Sequence, residues 1–397
     1  MFASRTNWRL DTNRFGLALE EHRRSGKELL DLTASNPTTC GLAYPEQEIT
    51  AALADPRALE YRPDSKGLAS AREAVAQYYR GRRGFSGLAV REVGTVDTEH
   101  ILLASGTSEA YGHIFRLLCE AGDEVLVPAP GYPLFEFLAD LADVRLAEYP
   151  LVYDHGWQID FVSLRAALTP RSRAVLVVHP NNPTGSFVKG NEAAELGQIC
   201  AERDMAIVAD EVFLDYTSGS ELAPTFAMHD AALTFTLSGL SKISLLPQMK
   251  LAWTVVSGPP ALVDPAVKRL EIIADTYLSP STPIQLALPK FLALRHGLQE
   301  QLNRRISSNL AVLDDALRAS KQLTRLKREG GWYAVLRVPV TGTDEDLAVN
   351  LLEHYSVLVH PGHFFNFSRD GFLVLSLITL EKVFQEGVRR LVRFFEG

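Results

Sequence analysis

The sequence contains few cysteines, no long apolar run and no excess of basic residues. Its three cysteines, Cys40, Cys119 and Cys200, lie far apart without a CxxC pair or a nearby histidine cluster. This argues against a disulfide or zinc scaffold and favours a reducing compartment. No stretch approaches the roughly 20 apolar residues of a membrane span, and the N-terminus lacks the apolar core of a signal peptide. We therefore expect a cytoplasmic protein with no membrane partner.

The charge pattern and the glycine pattern exclude two further classes of protein. The net charge is −8 and the Lys and Arg residues are scattered, so the basic stripe of a nucleic-acid binder is missing. No GxGxxG motif follows a candidate strand, which disfavours a dinucleotide-dependent enzyme. With 46% hydrophobic and 22% charged residues, the 397-residue chain has the balance of a globular protein that is large enough for two domains.

Hydrophobic patterning predicts an α/β fold with a large domain and a smaller one. In the middle of the chain, short β-rich runs such as HILLAS (100–105) and RAVLVVHP (173–180) alternate with helical stretches. This alternation is typical of a mostly parallel, doubly wound sheet, here of about seven strands. A long amphipathic helix and a mixture of strands and helices follow, which indicates an α+β domain. We expect a large domain over 46–295 and a small domain built from both termini, over 1–45 and 296–397.

Two polar segments follow predicted strands, where open parallel sheets bind their ligands. In the segment Ser105–Ser108 a strand turns into a helix, whose free N–H groups and positive dipole end can hold a phosphate. A capped turn without a ligand is at least as common. In HPNNPTG (179–185), Asn182 can donate to an oxyanion or a phenolate, or can stabilise a tight turn through the local backbone. Each segment therefore predicts either a ligand-binding edge or an ordinary turn.

Two further segments carry ionisable residues. Asp210 closes the apolar strand in VADEVF (208–213), and an ionised carboxylate is costly to bury unless it is paired. Its expected cationic partner is either a protein side chain in a salt bridge or a protonated pyridine nitrogen. Lys242 lies among small residues in SGLSK (238–242), which leave room for a bulky ligand. Most lysines are solvated surface groups, but a desolvated lysine can act as a Schiff-base nucleophile.

Taken in order, the motifs SGTSEA, PGYP, NNPTG, ADEVF and SGLSK resemble those of the fold-type I, class I and II aminotransferases. The similarity runs through nearly the whole chain. It implies a pyridoxal 5'-phosphate (PLP) enzyme of the aspartate aminotransferase type. By this resemblance Lys242 holds PLP as a Schiff base and moves the proton at the substrate Cα. Asp210 keeps the pyridine nitrogen protonated, Asn182 hydrogen-bonds the phenolic oxygen, and Tyr132 stacks on the ring.

The resemblance also implies a phosphate site, a dimer and a substrate contact. The residues that would hold the phosphate are Gly106, Thr107, Ser108, Ser241 and Lys250. Tyr61 resembles the family tyrosine that reaches the phosphate of the neighbouring subunit, which implies a homodimer. Asn36 and Asn182 would contact the substrate. No metal ion is implied.

Three positions depart from the family pattern. Phe213 stands where a tyrosine usually donates to the phenolic oxygen, so the Schiff base is expected to titrate at a higher pH. Lys250 replaces the usual arginine and offers a point charge instead of a bidentate fork. Val374 stands where an arginine normally binds the substrate α-carboxylate. Either another cation, such as Arg14 or Arg369, takes that role, or the substrate presents a different group.

The function implied by the resemblance is ping-pong transfer of an amino group from an amino acid to a 2-oxo acid. A PLP-dependent lyase, decarboxylase or racemase is the alternative, because the cofactor stabilises the same carbanion whichever bond breaks. A PLP-binding sensor domain of a transcription regulator is disfavoured, because the segment before the first motif is too short for an added DNA-binding module. The aromatic residues Phe364, Phe365 and Tyr333 mildly favour an apolar or aromatic substrate side chain, although core packing explains them equally well.

Overall fold

The structure of the protein is a computed structural model that describes residues 1–86, 89–92, 94–219, 221–318 and 320–397. The helices in these ranges are α1 (Arg14–Arg24), α2 (Glu46–Leu53), α3 (Ala69–Tyr79), α4 (Thr107–Leu118), α5 (Phe135–Leu141), α6 (Phe161–Ala167), α7 (Gly190–Glu202), α8 (Leu240–Ile243), α9 (Pro260–Tyr277), α10 (Thr282–Leu317), α11 (Asp344–Tyr355) and α12 (Glu381–Glu396). Within the same ranges, every helix is too short or too polar to cross a lipid bilayer. The strands are β1 (Leu30–Asp31), β2 (Arg83–Ser86), β3 (Ala89–Glu92), β4 (Ile101–Ala104), β5 (Glu124–Ala129), β6 (Arg145–Tyr153), β7 (Trp157–Ile159), β8 (Ser172–Val178), β9 (Ala206–Asp210), β10 (Thr234–Gly239), β11 (Ala252–Ser257), β12 (Thr324–Arg325), β13 (Tyr333–Arg337), β14 (Val357–Leu358), β15 (His360–Pro361) and β16 (Phe372–Ser376).

The large sheet is mostly parallel. Its strand order in the described part of the chain is β4-β11-β10-β9-β8-β5-β6-β7. The strands from β10 to β6 pair in parallel, whereas β11 is antiparallel to both of its neighbours and β7 is antiparallel to β6. The predicted α/β fold is therefore confirmed. The sheet has eight described strands instead of about seven, because the short strand β7 adds an antiparallel edge.

Helices cover both faces of this sheet. Side chains alternate across β8, so that Leu176 packs in one apolar cluster with Ile114 of α4, while Val177 packs in another with Leu196 of α7. Because both faces are buried, the central strands are continuous apolar runs, as their sequences predict. The polar residues that follow these strands therefore lie at one edge of a rigid sheet.

The chain termini form a smaller lobe, defined here as α1, β1, α11, α12 and the strands β12–β16. Its antiparallel sheet has the order β12-β13-β16-β15 in the described residues, and β1 pairs in parallel with β14. Phe15 and Leu30 share one apolar cluster with Leu351 and Leu391. This favours the predicted small domain over 1–45 and 296–397. The boundary predicted near residue 295 falls inside the continuous helix α10, and the division itself stays a prediction.

Candidate active site

A cavity of about 290 Å³ lies at the carboxyl ends of the parallel strands, against the small lobe. Val178, Asp210 and Gly239, which end β8, β9 and β10, form part of its wall, and Ser35 and Tyr333 come from the small-lobe side. The lining residues that the sequence predicted are Thr107, Tyr132, Asn182, Asp210, Ser241, Lys242 and Lys250. The strand ends thus bring together groups that are far apart in the chain, as expected for an open α/β sheet.

The first turn of α4 offers backbone donors beside the cavity. The helix begins at Thr107, and its N-cap residue, Gly106, has no side chain that could accept a hydrogen bond from the first N–H groups. The first N–H groups of a helix have no intrahelical partner, and the positive end of the helix dipole attracts anions. Ser108 lies in the same turn, and Ser241 and Lys250 share the cavity wall with Thr107. This end of the cavity therefore suits a phosphate group.

Asp210 is a buried carboxylate with two hydrogen-bond donors. Its side chain is 7% exposed. Tyr111 Oη donates to Oδ2 at 2.8 Å, and the backbone N–H of Val212 donates to Oδ1 at 3.1 Å. Burial raises the pKa of Asp210, while these two bonds and the charge of Lys242 oppose the shift. A cation bound in the cavity would favour the ionised carboxylate.

Lys242 lies in α8, directly after β10, and its amine faces aromatic rings. Nζ lies 4.8 Å from the ring centre of Trp332 and 5.6 Å from that of Phe213. Burial lowers the pKa of Lys242 to about 8, against the opposing effect of Asp210. The neutral amine is therefore much more populated near neutral pH than that of an exposed lysine. A neutral amine is the form that attacks a carbonyl carbon.

Asn182 follows β8 and is 6% exposed. Its Oδ1 is buried without a hydrogen-bond partner among the described residues. A buried polar atom of this kind costs about 1–3 kcal/mol unless it is satisfied. Rotation of the amide by 180° would place Nδ2 there instead, so this position can either donate or accept. In both orientations the amide needs a polar group from outside the described chain.

The aromatic wall of the cavity carries a phenol, but at Tyr333 and not at the position of Phe213. Phe213 is 4% exposed and packs edge-on against Trp332 and Tyr333, with ring centres 5.1 and 6.4 Å apart. The Tyr333 hydroxyl interacts with the side chain of Ser35, and burial raises the pKa of Tyr333 to about 12. Tyr333 therefore stays protonated at neutral pH. It supplies a phenol on the wall where Phe213 supplies none.

Val374 is fully buried in β16. In antiparallel pairing, residues directly opposite each other lie on the same face of the sheet. Tyr333 is opposite Ser376, and Val335 is opposite Val374, so Val374 lies on the face that carries Tyr333. An apolar side chain thus occupies the face of the small sheet that borders the cavity.

Neither arginine considered as a substitute lies in the cavity wall. Arg14 forms an exposed ion pair with Asp346, and the guanidinium of Arg369 lies 5.8 Å from the ring centre of Phe372. Among the described residues, the basic side chains in the wall are those of Lys242 and Lys250. A substrate carboxylate would therefore meet mainly neutral donors on the Tyr333 side.

Four predicted residues lie outside the cavity wall: Gly106 and Ser108, which flank Thr107 at the start of α4, and Tyr61 and Asn36. Tyr61 is 77% exposed. The Asn36 side chain accepts hydrogen bonds from the backbone N–H and hydroxyl of Thr38, at 3.1 and 2.8 Å, and caps a short helical turn. Its neighbour Ser35 lines the cavity instead.

The sequence profile of the family described as Aminotransferase class I and II matches residues 27–391. The chain belongs to this family. It is 28% identical over 390 residues to the glutamate-pyruvate aminotransferase AlaA of Haemophilus influenzae, covering 95% of this chain and 92% of that protein. It is 26% identical over 380 residues to the alanine aminotransferase of Mycobacterium tuberculosis, covering 93% and 86%.

Solved aminotransferase structures share the fold. The alanine aminotransferase from Pyrococcus furiosus superposes with a TM-score of 0.88 at 22% identity, and both chains are fully covered. An aminotransferase from Escherichia coli superposes with a TM-score of 0.83 at 25% identity, covering 100% of this chain and 98% of the other. The protein is a PLP-dependent aminotransferase, and the lyase, decarboxylase or racemase alternative is not favoured.

The residues of this aminotransferase cavity fit PLP. The first turn of α4 and Lys250 form an anion-binding end, and Asp210 offers a carboxylate to a protonated ring nitrogen. The amide oxygen of Asn182, which has no hydrogen-bond partner in the described part of the chain, marks a position for a polar ring substituent. Lys242 offers an amine to the aldehyde carbon. These donors and acceptors complement an aromatic ring with a phosphate, a basic nitrogen and an oxygen.

Several residues of the site were not predicted from the sequence, and three of them bear on its chemistry. Tyr111 donates to Asp210, Trp332 lies against Lys242 Nζ, and Ser35 lines the cavity. The sequence does carry a signal for the capping role of Asn36, because an asparagine before Pro-Thr-Thr is typical of a capping residue. Sequence spacing carries no comparable signal for Trp332.

Proposed function

We propose that the protein moves an amino group between an amino acid and a 2-oxo acid in two half-reactions, with Lys242 as the covalent anchor of PLP and the proton carrier. The observation that carries this proposal is the placement of the Lys242 amine and the Asp210 carboxylate in one cavity of about 290 Å³. Burial shifts the pKa of both groups toward their neutral forms, and perturbed ionisable pairs of this kind cluster at catalytic sites.

The proposed roles follow from the contacts of each side chain. Bound PLP supplies an electron sink for the electron pair left at the substrate Cα. Asp210, fixed by Tyr111, would hold the proton on the ring nitrogen. Asn182 would bond the phenolic oxygen, and Tyr132, which is 41% exposed and borders the cavity, would cover one face of the ring. The predicted phosphate ligands are Gly106, Thr107, Ser108, Ser241 and Lys250.

Lys242 is suited to move the proton at the substrate Cα. An efficient acid–base group has a pKa close to the working pH, because it must both accept and return a proton. The pKa of about 8 for Lys242 lies close to neutrality. Asp210 lies close enough to oppose this shift through its charge, so the two groups act in one electrostatic environment.

The substrate is proposed from the relatives and from the cavity wall. The relatives named above are glutamate-pyruvate and alanine aminotransferases, so alanine, glutamate, pyruvate and 2-oxoglutarate are the first candidates. We infer that Tyr333, Ser35 and Asn182 donate hydrogen bonds to the substrate carboxylate, because the wall on that side holds no guanidinium among the described residues. Asn36, next to Ser35, stays a predicted contact.

The homodimer and the cytoplasmic location are also proposals. Tyr61 and its neighbour Leu59 are 77% and 92% exposed, which supports a role for this segment at a subunit interface. Tyr61 would reach the phosphate site of the partner subunit. Sedimentation velocity should show that the protein is a dimer in solution. Tyr61→Phe should weaken PLP binding, and the dimer should stay intact. The scattered cysteines remain the reason for the predicted cytoplasmic location.

The decisive experiment is a half-reaction screen on the purified, PLP-loaded protein. Single amino acids and amines are added, and the absorbance change from bound PLP to pyridoxamine phosphate is followed. Conversion by alanine or glutamate, reversed by pyruvate or 2-oxoglutarate, supports the proposal. Release of ammonia or carbon dioxide without pyridoxamine phosphate would contradict it. Lys242→Ala should leave no covalent adduct after borohydride reduction, and a persistent adduct at another lysine would remove Lys242 from the mechanism.

A further inference from the structure

The backbone around Lys242 adopts an unusual turn. The short helix α8 ends at Ile243, and two residues later Leu245 has φ = 57°, although it is fully buried and is not glycine. This left-handed conformation crowds the Cβ atom against the backbone, so it persists only where the surroundings enforce it. The segment that carries the reactive lysine is therefore held in place by its neighbours.

Three side chains donate hydrogen bonds to carbonyl oxygens of this turn. Each comes from a different part of the chain. The pairs are Tyr216 Oη to Lys242 O at 2.6 Å, Gln299 Nε2 to Ile243 O at 2.7 Å, and Tyr44 Oη to Leu245 O at 2.8 Å. We call Tyr44, Tyr216 and Gln299 the carbonyl anchors.

We propose that the carbonyl anchors are positioning residues that hold the Lys242 amine inside the cavity and away from water. The inference rests on the proposed role of Lys242 and extends it to groups that touch neither substrate nor cofactor. A side chain can hold its terminal amine in one place only if its own backbone is fixed. The anchors act on the carbonyl of Lys242 itself and on two that follow it.

The anchors are themselves fixed by a buried polar network. Gln299 Nε2 donates its second hydrogen to Asp215 Oδ2 at 2.7 Å. Asp215 also accepts from Tyr78 Oη at 2.9 Å and forms a buried ion pair with Arg82. Because both hydrogens of the Gln299 amide are used, its orientation is determined. The network thus holds Gln299 in the position that donates to the lysine turn.

Tyr216 connects the turn to the ring that faces the amine. It is 1% exposed, and its ring packs edge-on against Trp332 with centres 5.2 Å apart. The same Trp332 ring lies 4.8 Å from Lys242 Nζ. Tyr216 therefore contacts both the backbone of Lys242 and the aromatic wall that keeps water from its amine.

Tyr44 belongs to an N-terminal segment that α10 holds in place. Gln301 accepts from the backbone N–H of Ala43 at 2.9 Å and donates to its carbonyl at 3.1 Å. Gln299 lies on the same helix. The single helix α10 thus sets the positions of Tyr44 and Gln299 relative to the turn. The third anchor, Tyr216, follows β9 of the large sheet.

The test removes the anchor hydroxyls without changing ring volume. Tyr44→Phe, Tyr216→Phe and the double variant are compared with Tyr149→Phe. Tyr149 is as buried as Tyr216 and donates to the Leu176 carbonyl at 2.8 Å, away from the lysine turn, so it is a matched control for Tyr216→Phe. Each apoprotein is mixed with PLP over a range of pH, and the rate of covalent attachment is followed by absorbance.

We expect the attachment rate of the unaltered protein to rise with pH around a midpoint near 8. In the anchor variants the amine becomes better hydrated, so the midpoint should move upward by about one pH unit, toward the value of an exposed lysine. Turnover (kcat) should fall roughly tenfold with KM changed less than about twofold, because misplacing a reacting group by about 1 Å can cost up to about a hundredfold. The control should show neither change.

Thermal unfolding distinguishes positioning from simple loss of stability. If the anchor variants lose as much Tm as the control while midpoint and kcat stay unchanged, the hydrogen bonds are structural only and the inference is wrong. A covalent adduct that persists in Lys242→Ala would instead overturn the proposed function. The two failures are therefore separable.

Discussion

Replacing Lys242 with methionine should stabilise the apoprotein near neutral pH. Methionine has a similar length and no charge, so it mimics the neutral lysine that burial favours. In the unfolded chain Lys242 has an ordinary pKa, whereas burial lowers the folded value to about 8. Between these two values the unfolded protein binds more protons than the folded one, so the stability of the unaltered protein rises with pH there. Below pH 8 the full destabilisation applies.

The size of the effect follows from the shift in pKa. Lowering the pKa from 10.5 to about 8 corresponds to about 3 kcal/mol at 1.36 kcal/mol per unit. This is an upper limit, because Lys242 is only partly buried, and solvent reduces the effect of a charge that is not fully buried. With an unfolding entropy of about 2.1 cal/mol/K per residue over the whole chain, the same free energy corresponds to a rise in Tm of roughly 4 °C.

The assay is the difference in Tm between Lys242→Met and the unaltered apoprotein, measured from pH 7 to pH 11. The difference in Tm should be largest at pH 7. It should disappear well above about pH 10.5, where Lys242 is neutral in both the folded and the unfolded protein. Lys268→Met, at an exposed position of α9, is the control and should change stability by less than about 0.5 kcal/mol at every pH. A Tm difference that stays the same from pH 7 to pH 11 would show that Lys242 is not desolvated.

Two further substitutions test the groups around the lysine. Asp210→Asn keeps the side-chain shape but removes the charge, so the half-reaction rate should fall by a factor of about 100 or more while the circular dichroism spectrum stays unchanged; near-normal turnover would contradict the proposed role. Tyr333→Phe should raise KM for the amino acid about tenfold with little change in kcat, because a hydrogen bond to a charged group contributes about 1.5 kcal/mol. An unchanged KM would place the carboxylate elsewhere.

The sequence predicts the large sheet well because its signal is local. The apolar runs of β8, β9 and β10 are separated by helical stretches, and such alternation permits few arrangements other than a parallel sheet. The pairing of β1 with β14 has no such signal, since both strands are two residues long and lie near opposite ends of the chain. Packing of the terminal apolar clusters determines it.

The site also combines residues that the local sequence predicts with contacts that only tertiary packing determines. Asp210, Asn182 and Lys242 follow strands or neighbour them in sequence, so the topology of the sheet brings them to one edge. Trp332 reaches the amine only because the small lobe packs against that edge, and the Tyr111 hydroxyl reaches Asp210 across the space between a helix and a strand. Such contacts depend on tertiary packing, which motif spacing does not encode.

The two buried ionisable groups of the cavity destabilise the folded apoprotein and are also the groups proposed to bind PLP. Burial raises the pKa of Asp210 and lowers that of Lys242, so each charged form is disfavoured in the folded protein. A protonated ring nitrogen would favour the Asp210 carboxylate, and covalent attachment through the neutral amine of Lys242 would use the form that burial already populates. The two groups whose burial destabilises the apoprotein are therefore those that PLP would stabilise most. Binding of PLP should raise Tm in proportion to this gain, because a ligand stabilises the state that binds it.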